Sequence, residues 1–306
     1  LGLRSYHAVV LRLVAPLAAK ECGPALAESE DGEGPAAALR FENLTVQIAG
    51  RAVLEEVDLT IAAGEHVAIV GPSGAGKSSL IGLLLGWLQP TRGVLSVDGT
   101  PLDRATQRRL RTQSAWIDPA VRLWDESLFD NLMYGREGAS TTNLQAVLER
   151  ADLLDVLEVL PDGLQSRLGE GGAQLSGGQG QRVRIGRGML RERPRLVLLD
   201  EPFRGLERAA RRAILTRLRE HWRSSTLLFV SHDIADSTLL DRVLVVEGGR
   251  IVEADTPARL LALPGSRYRA LLEAEQQLQR ELWQGPHFRH HRLSEGYLHE
   301  EASACP

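Results

Sequence analysis

The sequence predicts an α/β fold carrying a helical insert, and three observations carry that expectation. Continuous apolar runs such as His66-Val67-Ala68-Ile69-Val70 read as short strands buried on both faces, as in a parallel sheet. Between the strand expected at 114–117 and the one expected at 196–199 the pattern turns helical. The composition, 43% apolar and 25% charged over 306 residues, is that of a folded globular chain and excludes wholesale disorder.

Taken in order, residues 1–20 read as an amphipathic segment. The apolar run at 8–19 is interrupted by Arg12 and Pro16, falls short of the roughly 18 residues a spanning helix needs, and lacks the charged start and cleavage site of a secretory signal. It either packs on a neighbour or ends a membrane domain upstream of Leu1; both readings stand. Residues 21–38 alternate Gly23, Pro24, Gly32, Gly34 and Pro35 with Glu28, Glu30, Asp31 and Glu33, which reads as a flexible acidic linker.

Regular structure is expected from Leu39, with strands at 39–48, 53–61 and 66–70, a helix from Lys77 to about Leu88, and strands at 94–97, 114–117, 196–199, 226–230 and 243–247. Helical periodicity at 144–160 falls inside an expected helical subdomain at about 120–190. A last helix is expected at 266–283, where Tyr268, Leu271, Leu272 and Leu278 are spaced for one face. Beyond Gly285, His287, His290, His291 and His299 lie in a tail read as solvated, because no cysteine or acidic ligand spacing supports a metal site.

Net charge is −4, so no basic excess points to nucleic acid. Cys22 and Cys305 provide neither a disulfide framework nor a metal spacing. Only Lys20 and Lys77 are lysines; the remaining basic residues are arginines.

Lys77 sits in Gly71-Pro72-Ser73-Gly74-Ala75-Gly76-Lys77-Ser78, a gapless match to G-x-x-x-x-G-K-[ST]. Chance produces such a match on the order of once in 500 chains of this composition. The glycines let successive N–H groups face a pyrophosphate, and the helix start adds partial positive charge there. Gly71, Ser73, Gly74, Ala75, Gly76, Lys77, Ser78 and Ser79 are thus the nucleotide-binding candidates, with Lys77 on the β- and γ-phosphates and the Ser78 hydroxyl on Mg²⁺. Further on, Leu196-Val197-Leu198-Leu199-Asp200-Glu201 is a buried strand ending in two acids. A strand delivers such acids to the carboxyl edge where ligands bind. Asp200 would hold Mg²⁺ through water and Glu201 would take a proton from attacking water. Together the two motifs predict nucleoside triphosphate hydrolysis.

The pentapeptide Leu175-Ser176-Gly177-Gly178-Gln179 lies between them. With it the chain resembles the ATP-binding cassette (ABC) family over residues 39–262. The resemblance implies a P-loop NTPase (RecA-like) core with an antiparallel β subdomain and an inserted helical signature subdomain. It further implies ATP and Mg²⁺ as ligands. Ser176, Gly177, Gly178 and Gln179 would face the nucleotide of a second cassette, identical or different, in a head-to-tail dimer. His232, in Ser231-His232-Asp233, is similar to the family's switch histidine, which contacts the γ-phosphate and water. Residues 160–164 and 169–172 resemble the loop that touches coupling helices in exporter-type cassettes.

Three positions depart from the family pattern. Ile48 stands where an aromatic ring usually stacks on adenine, so the contact there is weaker. Pro119, beside Asp118, stands where a glutamine usually senses Mg²⁺ and water. Arg204-Gly205-Leu206-Glu207 replaces the usual Ser-Ala-Leu-Asp. Lys77, Asp200, Glu201 and His232 remain, so hydrolysis is expected to survive. The leading expectation is the ATPase domain of an exporter, at the cytoplasmic face of the cell membrane, joined to a transmembrane permease domain. Two alternatives are a soluble non-transport ABC ATPase and a weakly hydrolysing regulatory cassette. Against the first, no heptad run separates Lys77 from Ser176 and no second phosphate loop is present; the second is motivated by Ile48 and Pro119.

Overall fold

A computed structural model of the chain describes residues 34–135, 143–191, 193–284, 290–294 and 297–301. The expected amphipathic segment at 1–20, most of the linker, Cys22, Cys305 and His287 lie outside the described residues. The linker expectation reached too far, because its last residues are part of the ordered body. Ala37 is buried, its N–H donates to Arg195 O at 3.0 Å, and the Thr226 hydroxyl donates to Ala37 O at 2.6 Å.

β1 (Leu39–Ile48) and β2 (Arg51–Ile61) form a hairpin whose turn residues, Ala49 and Gly50, both have positive φ, as a tight two-residue connection requires. β3 (His66–Val70) is buried throughout and feeds α1 (Lys77–Leu85). That helix stops three residues before the expected Leu88: Gly86, at φ 80°, turns the chain so that the Trp87 and Leu88 N–H groups both donate to Gly82 O. β4 (Arg92–Val97) and the short β5 (Thr100–Pro101) follow, then α2 (Arg104–Thr112), capped by Asp103, and β6 (Ser114–Ile117).

The helical insert comprises α3 (Leu128–Met133), α4 (Leu144–Arg150), α5 (Leu154–Val159) and α6 (Gly177–Met189). The periodic stretch at 144–160 is helical as two segments, separated where Asp152 adopts φ 61°. After it come β7 (Leu196–Asp200), α7 (Arg208–His221), β8 (Thr226–Val230), β9 (Arg242–Glu247), β10 (Arg250–Asp255), α8 (Pro257–Ala262) and α9 (Arg267–Gln284). β11 (His290–Ser294) and β12 (Tyr297–Glu301) pair as a hairpin that the sequence reading lacks.

Two principal sheets result. One is antiparallel, in the order β2-β1-β4-β5; the other runs β10-β9-β3-β8-β7-β6, parallel except for its edge strand β10. The parallel strands are apolar through their central positions because each of their faces lines a different core. Val67, Ile69, Leu196, Leu198, Leu228 and Val230 pack toward α1 and the antiparallel sheet. Ala68, Val70, Val197, Leu199, Leu227 and Phe229 pack toward the helical insert and α7. The period-2 alternation thus joins the two layers through one sheet. Among the described residues, no helix is long and apolar enough to cross a membrane.

Candidate functional site

Three neighbouring strands, β3, β8 and β7, deliver their carboxyl ends to one edge of the parallel sheet. That placement brings together residues 71–79, Asp200 with Glu201, and Ser231 with His232. It is the edge where ligands bind in open parallel sheets.

The turn after β3 admits glycine at Gly71 for a geometric reason. Its φ is 145°, and a Cβ there would lie 2.1 Å from Val246 O. Gly76, at φ 105°, starts α1, and a Cβ there would meet Val53 O at 2.6 Å. The loop folds back on itself through Ala75 N–H to Pro72 O and Ser79 N–H to Gly76 O, and Gly249 N–H donates to Ala75 O. Lys77 Nζ donates to Gly71 O at 2.9 Å and to Pro72 O at 2.8 Å, so the ammonium lies within the curl of the loop. Burial lowers its pKa, and the charges of Glu201 and Asp200 oppose that shift.

Asp200 ends β7 and accepts a hydrogen bond from Ser78 Oγ at 3.2 Å. Burial pushes its pKa up to about 6, with the negative charges of Asp118 and Glu201 adding and Lys77 opposing. A hydroxyl beside a carboxylate, at the foot of a phosphate-type loop, is the hard-oxygen donor set that suits Mg²⁺.

Glu201 leaves the strand at φ 47°, although its N–H still donates to Val230 O at 2.9 Å. Such a φ in a non-glycine residue costs on the order of 1–3 kcal/mol. The strained bend turns the Glu201 carboxylate to His232, with Oε1 at 2.6 Å from Nε2. Glu201, Phe203, Arg204, Arg211, Ser231 and His232 line an open cleft of about 230 Å³. Arg211, which the sequence reading missed, joins two walls of the cleft. Its Nε donates to Leu206 O at 2.6 Å and its Nη1 to Asp233 Oδ2 at 2.8 Å.

The signature residues occupy a different place. Ser176 caps α6 through a reciprocal box: Gln179 N–H donates to Ser176 Oγ at 3.2 Å, and Ser176 N–H to Gln179 Oε1 at 2.8 Å. Gly178 rests on the loop that follows Glu201, where a Cβ would come within 2.7 Å of Gly205 O. Among the described residues, none of 176–179 hydrogen-bonds to 71–79. The start of α6 is solvent-facing and its first turn carries no acidic residue.

Ile48 is 47% exposed at the end of β1. Asp118 accepts from Ala120 N–H at 2.6 Å, and its charge reaches Asp200; Pro119 is half-buried beside it. On the helical insert, Trp124 and Tyr134 form an exposed aromatic pair with ring centroids 5.6 Å apart. Arg122 and Arg187 lie over their faces, and Arg122 also pairs with Glu170 at 2.9 Å. Burial, then the charge of Arg184, lowers the pKa of Arg187 to about 10.

A family model described as "ABC transporter" matches residues 54–204. The ATP-dependent lipid A-core flippase of Ralstonia nicotianae is 38% identical over 232 residues, which is 74% of this chain and 39% of that protein. The protein of the same name from Alkalilimnicola ehrlichii is 37% identical over 210 residues, 68% of this chain and 36% of its own length. A solved bacterial Atm1-family ABC exporter with ATP bound superposes with a TM-score of 0.75 at 30% identity, covering 88% of this chain and 47% of that one. The chain spans less than two fifths of the curated relatives' length.

Proposed function

The chain belongs to the ABC transporter family as an ATP-binding, ATP-hydrolysing domain, and from that premise we propose that it drives an exporter by closing on a second cassette around ATP. The observation that carries the reading is the Glu201–His232 pair, 2.6 Å apart, on the same sheet edge as Lys77 and Asp200.

In this mechanism the N–H groups of residues 73–78 and the Lys77 ammonium bind the phosphates of the substrate ATP. The carboxylate of Glu201 accepts a proton from the attacking water, and His232 fixes that carboxylate in place. Mg²⁺ held by Ser78 and Asp200 would neutralise charge on the phosphate oxygens. Ser176 and the adjoining amides at the start of α6 serve the nucleotide of the partner cassette. That role suits their exposure and their separation from the phosphate loop of their own chain.

The partner that uses the stroke is a membrane domain on whose cytoplasmic side the cassette sits. Its docking ground is the Trp124–Tyr134 face beside the 160–172 loop, where exposed rings offer apolar area and flanking arginines offer charge. A weakly hydrolysing cassette is the second reading, favoured by Pro119, which supplies no side-chain hydrogen bond to water or metal.

The test is light scattering on Glu201→Gln with ATP and Mg²⁺. The variant should shift from monomer to a dimer that ADP does not support. A monomer under all nucleotide conditions would contradict the closing step.

A further inference from the structure

His232 is followed by a short 3₁₀ turn at Ile234–Leu239, and its N-cap residue, Asp233, makes no side-chain cap hydrogen bond. A residue from a distant helix caps the turn instead. Glu275, on α9, accepts from Ile234 N–H at 2.8 Å and from Ala235 N–H at 3.2 Å, both through Oε2. The same helix grips the turn a second time, because the buried Tyr268 hydroxyl and Ser237 Oγ share a hydrogen bond of 2.8 Å. The start of α9 is itself tethered: Glu253 accepts from Ser266 Oγ and from the N–H groups of Arg267 and Tyr268.

Asp233 carries the second half of the geometry. Its Oδ2 pairs with Arg211, while its Oδ1 is buried and receives no N–H donor. The group facing Asp233 from α9 is the Glu275 carboxyl. Two carboxyls can bond to each other only if one keeps its proton. A protonated Glu275 meets both demands, accepting the backbone N–H groups through one oxygen and donating O–H to Asp233 through the other.

We infer that Glu275 is a positioning residue for hydrolysis, holding the turn that follows His232 through the Ile234 and Ala235 amides and through a shared proton with Asp233. The inference rests on the hydrolysis reading above. Burial, then the hydrogen bond to Asp233, pushes Glu275 up to about 7, so the bridge weakens as pH rises through neutrality. The charged or titratable groups around the pair are Asp233 and Asp236 on the turn, Arg208, Arg211 and Arg212 on α7, and Tyr268 on α9.

The experiment compares the full chain with Glu275→Gln and Glu275→Ala, in ATP turnover from acid to alkaline pH and in hydrogen exchange of the Ile234 and Ala235 amides. Glutamine imitates the protonated acid, with an oxygen to accept and an N–H to donate. Glu275→Ala should lose about tenfold in kcat, with KM for ATP changed by less than about twofold, and should lose amide protection. Glu275→Gln should keep kcat and protection at neutral pH and lack the alkaline decline of the unsubstituted chain.

Turnover and protection unchanged in Glu275→Ala, or lost equally in Glu275→Gln, would overturn the inference. If Glu275→Ala does not fold, the pH profile of Glu275→Gln decides: an unchanged alkaline decline overturns it and an abolished one supports it. An unsubstituted chain that turns over no ATP would count against the hydrolysis reading. Amide protection in the variants would then still decide the role of Glu275.

Discussion

Glu201 Oε1 lies 2.6 Å from His232 Nε2, although the two residues follow different strands, β7 and β8. The contact depends on a left-handed bend at Glu201 (φ 47°) that the neighbouring strand holds through its Val230 carbonyl. Glu201→Gln keeps a hydrogen bond to His232 but removes the proton acceptor, so kcat should fall by about 100-fold or more. His232→Ala should cost about 10- to 100-fold, because Glu201 survives without its anchor. ATP affinity should hold in both, as measured by equilibrium binding beside steady-state turnover.

Substitutions at two glycines should separate ATP binding from engagement of the proposed partner cassette. Gly71→Ala would place a methyl 2.1 Å from Val246 O at a φ of 145°. It should abolish ATP binding and lower Tm. Gly178→Ala would place one 2.7 Å from Gly205 O, far from the phosphate loop in sequence, and should leave ATP binding intact while cutting turnover. Isothermal titration and turnover on each variant check both outcomes.

Asp236 is fully buried, with neither carboxyl oxygen hydrogen-bonded, and burial pushes its pKa from 3.8 to about 6. The folded chain therefore holds this proton more tightly than the unfolded one. Its contribution to stability falls as pH rises from 3.8 to about 6 and stays low above that. Asp236→Asn escapes the penalty, so its Tm should exceed that of the unsubstituted chain by a few degrees at about pH 8 and converge with it near about pH 4. Thermal melts at both pH values check the sign.

Pro119 offers no side-chain donor or acceptor, and Asp118 beside it already spends Oδ1 on Ala120 N–H at 2.6 Å. Pro119→Gln restores a group able to orient water, and kcat should rise about threefold or more. An unchanged kcat would show that water is positioned without help from this loop.

The phosphate loop was legible because its chemistry is contiguous: glycines, Lys77 and Ser78 must follow one another for the backbone to curl and the ammonium to reach. Asp200 and Glu201 were legible because β7 is apolar at every preceding position, as burial on two faces demands. β10 was not, because an edge strand alternates exposed and half-buried residues that read as loop. The break at Asp152 was hidden because the left-handed cap of α4, closed by Leu153 N–H donating to Leu148 O at 2.8 Å, falls on an aspartate rather than on a glycine. Arg211 and Glu275 were invisible because their roles arise only when α7 and α9 fold against the turn after β8. Gly86, by contrast, ends α1 where the sequence already placed a glycine, two residues before the expected end.

The proposed cassette hydrolyses ATP only when paired with a second one. The most direct measurement is steady-state ATPase activity of the full chain over a protein concentration series, beside Glu201→Gln. Turnover should rise more steeply than linearly with concentration and vanish in the variant. Tight ATP binding with no turnover at any concentration would contradict it.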